Sequence, residues 1–326
     1  MLAEDISPAE IRQKQSERSD MRSRDLADML GISEAEYLCA WLGDGTRCIT
    51  CRPEDVFPKL VEVGPLMALT RNASAVHETI GFFERFSTYR TTAECHGPGI
   101  RTHLTSQKWV HGLSVEKRQT EKRRDEQRMC SFQFFDANGT AVHKIHTRPD
   151  SDFRAWDRIA EAISLDIDAE DIRSQLQANR AQEPGRIVSA SGLETMFEGC
   201  KSNLEFHRVS NEAIEHMLNA ASAIGLPLIC KVSSTGCLQA YEGPVAKIVT
   251  MGPWINIMDD QFHMHLRKDH LIGTYIASRA NGAEVRTSLE AYDASGKRVI
   301  YFVNQDDGTA ENESLWQKII HELPKP

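Results

Sequence analysis

No stretch of the chain approaches the roughly 18 consecutive apolar residues of a membrane helix, so membrane insertion is not expected. The opening stretch, MLAEDISPAEIRQKQSERSD, has no apolar core of the kind a secretory signal needs, and a cytoplasmic protein is the expectation. Excess positive charge is missing as well. The net charge of −9 argues against a surface built to bind nucleic acid through its phosphates. A second CxxC is also absent. Cys48 and Cys51 form "CITC", but a structural zinc usually takes two such pairs. The eight cysteines are therefore expected to be free thiols, with the CITC pair buried or half-buried near a strand.

What is present is an ordinary globular composition over 326 residues, with 40% hydrophobic and 26% charged residues. That length suggests two domains. The first segment reads as helix. In "SPAEIRQKQ", Ser7 is an N-cap, Pro8 the first helical residue and Glu10 the capping-box partner. In "RSRDLADMLGISEAEYLCAWLG", Leu26, Met29 and Leu30 recur at helical spacing. Gly31 ends that helix, and Ser33 with Glu36 caps the next. The outline resembles a helix–turn–helix, yet Glu34 and Glu36 stand where a recognition helix needs donors. A helical pair packed on a sheet is favoured.

From Leu66 the pattern changes to strands. The charged stretch around "EKRRDEQR" mixes both signs and reads as a solvated hairpin tip. In "MCSFQFFDANGTAVHKIHTR", Asn138-Gly139 predicts a type I′ hairpin turn. A helix follows near Asp150 or Ser151, and a polar segment with Pro184-Gly185 reads as a junction. A second helical region is expected from Gly192 to Ala223, before strands return at "LPLICKV". The stretch "FHMHLRKDHL" places His263 and His265 two apart, on one face of a strand. No metal is assigned to them.

The two halves look alike. "SFQFFDANGTAVHKIHTR" aligns without a gap on "SLEAYDASGKRVIYFVNQ", pairing Ser131 with Ser288, Asp136 with Asp293 and Gly139 with Gly296. Upstream, "THLT" sits on "MHLR", so His103 matches His265. The expected fold is α+β, a tandem repeat in which each half carries a large antiparallel sheet with flanking helices. The halves are placed at 1–168 and 186–326, with 169–185 as the junction.

These motifs carry a resemblance. "RDLADMLGISEAE", "MALTRNASAVHE", "KWVHGLSVEK", "FQFFDANGTAVHK", "MGPWINIMDDQFHMHLR" and "TSLEAYDASGK" resemble, in order, the HemS/ChuS/HmuS family of bacterial cytoplasmic haem-utilisation proteins. The resemblance implies haem as ligand or substrate, a cleft that uses the C-terminal half, and a role downstream of haem import. An importer and a downstream acceptor become the expected partners, nucleic acid is not expected, and a homodimer stays open. Oxygen-dependent haem degradation is also left open, with no catalytic residue assigned.

Carried over residue by residue, the family site is altered. The family's ligand histidine falls near Gln182 or Glu183, and the nearest downstream histidine is His207, in "LEFHRV". The family arginine that approaches the other side of the haem falls at His103, with Arg101 two residues away. "KVSSTGC" puts Lys231 where the family has an aromatic and Thr235 where it has an arginine. "FVNQ", Phe302 to Gln305, lacks a basic residue suited to a propionate. The expected haem-contacting residues are His103, Arg101, His207 and Phe302, with His103 and His207 the candidate iron ligands. His77, in "AVHETIG", matches a family motif without an assigned role. The alternative function is a scaffold or regulator that keeps the fold without tight haem binding.

Overall fold

The computed structural model describes residues 6–117, 128–180, 189–198, 204–282, 284–305 and 309–326. In chain order the elements begin α1 (Pro8–Glu17), α2 (Ser23–Leu30), α3 (Glu34–Cys39), β1 (Thr46–Ile49), α4 (Pro53–Val56), β2 (Leu66–Arg71), β3 (Ala75–Gly81), β4 (Arg85–Tyr89), β5 (Thr92–Gly97) and β6 (Ile100–Thr105). They continue with β7 (His111–Lys117), β8 (Met129–Phe135), β9 (Ala141–Thr147), α5 (Phe153–Ala162), α6 (Ala169–Arg180), α7 (Ala190–Glu198), β10 (Leu204–Val209), α8 (Ala213–Ile224) and β11 (Leu228–Ser233). The last are β12 (Cys237–Gly243), β13 (Ile248–Met251), β14 (Trp254–Met258), β15 (Phe262–Arg267), β16 (Leu271–Asn281), β17 (Glu284–Asp293), β18 (Arg298–Asn304) and α9 (Ala310–His321).

Among the described residues the strands form two nine-stranded antiparallel sheets. One runs β1-β7-β8-β9-β2-β3-β15-β14-β13 and the other β10-β16-β17-β18-β11-β12-β6-β5-β4. The second order is the first with each strand replaced by its repeat counterpart, so the duplication extends to the topology. It also extends to single hydrogen bonds. Asp136 Oδ1 accepts from the amides of Asn138 and Thr140, while Gly139 N donates to Asp136 O at 2.9 Å. Asp293 Oδ1 accepts from Ser295 and Lys297, while Gly296 N donates to Asp293 O at 2.9 Å. Gly139 and Gly296 sit at φ of 75° and 76°. Arg90 is the one non-glycine residue with positive φ among those described, so Asn138 is not in the left-handed region. A type I′ turn needs both central residues there. The Asp side chain instead stabilises a longer turn closed by one left-handed glycine, and this corrects the expected I′ geometry.

The chain packs as two compact units: Met1–Leu69, Ile80–Glu183 and Ser234–Cys237 in unit 1, and Thr70–Thr79, Pro184–Ser233 and Leu238–Pro326 in unit 2. This differs from the expected contiguous halves. Thr70–Thr79 falls in unit 2 because β3 pairs with β15, with Val76 opposite His265. Ser234–Cys237 falls in unit 1, where Gly236 O accepts from Trp109 Nε1 and from Thr105 N, both at 2.9 Å. Much of the expected junction is helix: α6 buries Ile172 and Leu176 in the core of unit 1 with Leu26 and Leu38.

In unit 1 the sheet is covered by α5, whose Ala155, Trp156, Ile159 and Ala160 fall on one helical face. Trp156 stacks on Phe132 at 3.8 Å. In unit 2, α8 buries Ile214, Met217 and Leu218, and α9 buries Trp316 and Ile319, against Leu289 and Phe302. The helix–turn–helix outline is structural. Every residue of α3 is buried, Ser33 Oγ caps it through Glu36 N, and Glu34 forms an ion pair with Lys144. The helical region expected over 192–223 is interrupted by β10, whose half-buried Phe206 alternates with the exposed polar neighbours Glu205 and His207 as a strand does. The predicted charged hairpin tip lies largely outside the described residues.

Candidate functional site

Pairing register decides which side chains of unit 2 meet. Glu290 on β17 lies opposite Tyr275 on β16 and Tyr301 on β18, and Lys231 on β11 lies opposite Tyr301. These residues, with Arg279, Ser288 and Tyr292, occupy the sheet face away from α8 and α9, because the alternate positions Leu289 and Phe302 enter the helix-covered core.

Glu290 is the centre of this face. Its side chain is 0% exposed. Oε1 takes Arg279 Nη1 at 2.6 Å and Ser288 Oγ at 2.9 Å; Oε2 takes Tyr292 OH at 2.6 Å and Arg298 Nη1 at 3.1 Å. Those four bonds fill the capacity of a carboxylate. Burial pushes the Glu290 pKa up, but the Arg279 hydrogen bond, the Arg298 charge and the Tyr292 hydroxyl outweigh it and hold the group below its ordinary value. Burial, followed by the Glu290 charge, pushes the Tyr292 phenol up. Arg298 and Lys231 lie 5.2 and 5.3 Å from the Tyr301 ring centroid. Beside this polar cluster is an aromatic one. Phe197 of α7 stacks on Phe206 at 3.9 Å and 13°, and meets Tyr275 and Tyr292 edge-on at 4.9 and 5.1 Å. The Tyr275 hydroxyl is buried without a hydrogen-bond partner.

The expected site residues fall elsewhere. Phe302 is 0% exposed in the core of unit 2, so it contributes packing on the opposite side of the sheet. His207 is on β10 opposite Ile276, out of phase with Phe206, and its side chain is 67% exposed beside Glu205. Arg101 and His103 share one face of β6 in unit 1. His103 Nδ1 meets Glu94 Oε1 at 2.9 Å, and His96 Nε2 meets Glu94 Oε2 at 3.2 Å. The repeat supplies the counterpart: His265 Nδ1 meets Asn256 Oδ1 at 2.7 Å across the equivalent strands. The His103 position is thus one of a repeated pair of cross-strand contacts. Hydrogen bonding from His96 leads the effects that lower the Glu94 pKa.

Other sequence candidates resolve into structure. His263 and His265 do share a face, with Phe262, Met264 and Leu266 buried behind them. His77 is fully buried against Phe262, and its Nε2 meets Cys230 O at 3.3 Å. Burial drives its pKa down to about 3, so it is a neutral packing residue of unit 2. Thr235 donates to Asp136 Oδ2 at 3.0 Å and steadies the hairpin turn of unit 1. Cys48 is buried and Cys51 half-buried, and both are free; burial raises each thiol pKa. A 690 Å³ cavity in unit 1 lies between β1, β7, β8 and α5, where Arg128 is already engaged by Glu116 and Asp157. Among the described residues no cluster of three or more His, Cys, Asp or Glu side chains is arranged to hold a metal ion, and no helix is long and apolar enough to cross a membrane.

Sequence reasoning missed the Glu290 cluster because its members lie on four strands. The available signal was the i, i+2 spacing of Ser288, Glu290 and Tyr292. It gained meaning only against the repeat, where Gln133 stands at the Glu290 position and donates from Nε2 to Ser131 Oγ at 2.9 Å, the reverse of the bond from Ser288 to Glu290.

Comparison with known proteins places these features in a family. The profile of the "Haemin-degrading HemS.ChuX domain" matches residues 31–163 and again 195–323. The hemin transport protein HmuS of Yersinia pestis is 24% identical over 334 residues, covering 95% of each chain. The hemin transport protein HemS of Yersinia enterocolitica is 25% identical over 325 residues, covering 92% of each. Among solved structures, holo-PhuS, a heme-binding protein from Pseudomonas aeruginosa, superposes with a TM-score of 0.82 at 23% identity, over 98% of this chain and 100% of its own. The heme degrading enzyme ChuS of Escherichia coli O157:H7 gives 0.80 at 20% identity, over 96% and 97%. At these identities the structural likeness establishes the fold. With two profile matches spanning most of its length, this chain belongs to the haemin-degrading HemS.ChuX domain family and carries that domain twice in tandem.

Proposed function

We propose that the chain binds haem and hands it on in cytoplasmic haem-iron utilisation, between an importer that supplies haem and an acceptor that receives it. One observation carries this reading: the Glu290 face holds Arg279 and Arg298 on Glu290 next to the aromatic cluster of Phe197, Phe206, Tyr275 and Tyr292, with Lys231 over Tyr301 on the same face. Haem is a flat apolar ring with two carboxylates on one edge. The half-buried rings of Phe206 and Tyr301 suit the apolar ring, and the half-exposed guanidiniums suit the carboxylates. The names of the relatives, two hemin transport proteins and a heme-binding protein, support the same ligand class.

The test is a haemin titration of the full chain, followed by absorbance, on wild type, Lys231→Met and His103→Ala. Saturable binding weakened by Lys231→Met and unchanged by His103→Ala supports the face in unit 2. Binding lost in His103→Ala moves the site to β6. No saturable binding favours a scaffold or regulator that has kept the family's fold alone.

A further inference from the structure

We propose that unit 2 carries a copper(I) site on β15, in which His263 and His265 supply two imidazole nitrogens and Met258 of β14 supplies a thioether sulfur. The site belongs to the other sheet from the Glu290 face and stands independently of the haem-binding reading.

Strand register brings the three side chains together. Met258 lies directly opposite His263, and Asn256 directly opposite His265. Ile255, Ile257, Phe262, Met264 and Leu266 enter the core of unit 2, so the residues that alternate with them share the opposite face. On that face Met258 is 42% exposed and the His263 side chain 31%. Directly opposed residues place their Cβ atoms about 4.5–5.5 Å apart, within reach of one shared ion for side chains of this length.

The second observation is how the rings are held. Asn256 Nδ2 donates to Val249 O at 2.9 Å, which leaves its Oδ1 turned to His265 Nδ1 at 2.7 Å. An amide oxygen only accepts, so Nδ1 of His265 carries the proton. Glu78 Oε2 stands 3.4 Å from His263 Nδ1 and favours the same tautomer there. In each neutral ring Nε2 is then the electron-pair donor. Metal-ligating histidines are held in this way, with the second ring nitrogen donating to an oxygen acceptor. Glu78 is on β3, on the far side of β15 from Met258. Nε2 lies on the ring edge away from Nδ1, so His263 turns it toward β14 and the Met258 sulfur.

Spacing and softness select the metal. The two ring centroids are 6.4 Å apart. An in-line imidazole–metal–imidazole unit with bonds of about 2.0 Å sets its centroids roughly 6 Å apart, whereas tetrahedral zinc draws them closer and needs a fourth ligand. A thioether is a soft ligand, and copper(I) accepts it at low coordination number. The repeat supplies the contrast. In unit 1 the equivalent pairs are Glu94 opposite His103 and His96 opposite Arg101, so a guanidinium stands at the His263 position and an imidazole at the Met258 position.

The experiment titrates the full chain with copper(I), under ascorbate and without oxygen, in competition with the chromophoric chelator bicinchoninate. The variants are His263→Ala, Met258→Leu, and Cys51→Ser combined with Cys200→Ser. The last removes a half-buried thiol and the cysteine that lies outside the described residues. Both site substitutions fall outside the core, and their circular dichroism should match the wild type. The expected result is one tightly held copper(I) per chain, weakened at least about a hundredfold by His263→Ala and about tenfold by Met258→Leu, in line with the 10–100-fold that loss of a ligand's supporting partner alone costs. The double-cysteine variant should bind as the wild type does, and Met258→Leu should leave zinc(II) affinity unchanged. Unchanged copper(I) affinity in His263→Ala overturns the proposal. A loss in the double-cysteine variant assigns the copper to thiols and overturns it too. Wild-type affinity in Met258→Leu removes the thioether, and with it the selection of copper(I).

Discussion

Removing Glu290 and removing its two arginines should have unequal costs, and the inequality follows from exposure. Breaking a buried ion pair from one side costs about 3–5 kcal/mol, because the surviving charge is left uncompensated. Glu290→Gln leaves behind Arg279 and Arg298, whose side chains are 37% and 39% exposed and can turn to water. Solvent screening then halves the cost, to about 2 kcal/mol. The strand tolerates an amide there, since Gln133 holds the equivalent position of unit 1. The reverse change, Arg279→Met with Arg298→Met, leaves a carboxylate that is 0% exposed with two hydroxyl donors alone. That variant should lose the full ~3–5 kcal/mol at neutral pH. The two also differ in pH dependence. In the wild type the Glu290 pKa is lowered from 4.5, so its contribution is present above 4.5 and is lost as pH falls below that value. In the double-arginine variant burial dominates and raises the folded pKa above the unfolded one. Its stability should therefore improve as pH falls toward 4.5. Urea unfolding followed by circular dichroism from pH 4 to 8 measures both. A double-arginine variant no less stable than Glu290→Gln, or one whose stability rises with pH, would refute the reasoning.

Further expectations are checked in the same way. The His77 pKa is lowered from 6.5 to about 3, so its contribution is present above 6.5 and is lost as pH falls, at about 1.4 kcal/mol per pH unit. His77→Leu should remove one proton's worth of slope from the stability profile between pH 6 and 4. Gly139→Ala should cost more than the roughly 1 kcal/mol of a left-handed glycine, because a Cβ there would stand 2.2 Å from Ser33 Oγ and 2.9 Å from Leu176; a thermal melt reads the loss. Trp156→Ala, which empties a fully buried site stacked on Phe132, should cost about 3–5 kcal/mol in urea unfolding. His103→Ala, at an exposed cross-strand pair, should change stability by less than about 0.5 kcal/mol.

The sequence by itself determined the parts of this protein that are local or repeated. Ser7, Pro8 and Glu10 cap α1, Gly31 ends α2, and Ser33 starts α3 as their chemistry dictates, because a cap involves residues three or four apart. The alternation that put His263 and His265 on one face follows from strand geometry, and the gapless match of the two hairpins made the duplication legible. Tertiary structure decided the rest. Whether 169–180 was a linker or a packed helix depended on Ile172 and Leu176 finding a core made by Leu26 and Leu38, far away in the chain. Which unit takes Thr70–Thr79 depended on pairing β3 with β15, nearly two hundred residues later. The Glu290 cluster draws Lys231, Arg279, Glu290 and Arg298 from four strands. Sequence spacing cannot encode that meeting, because strand register fixes which residues lie opposite one another, and register is set by burial of the whole sheet.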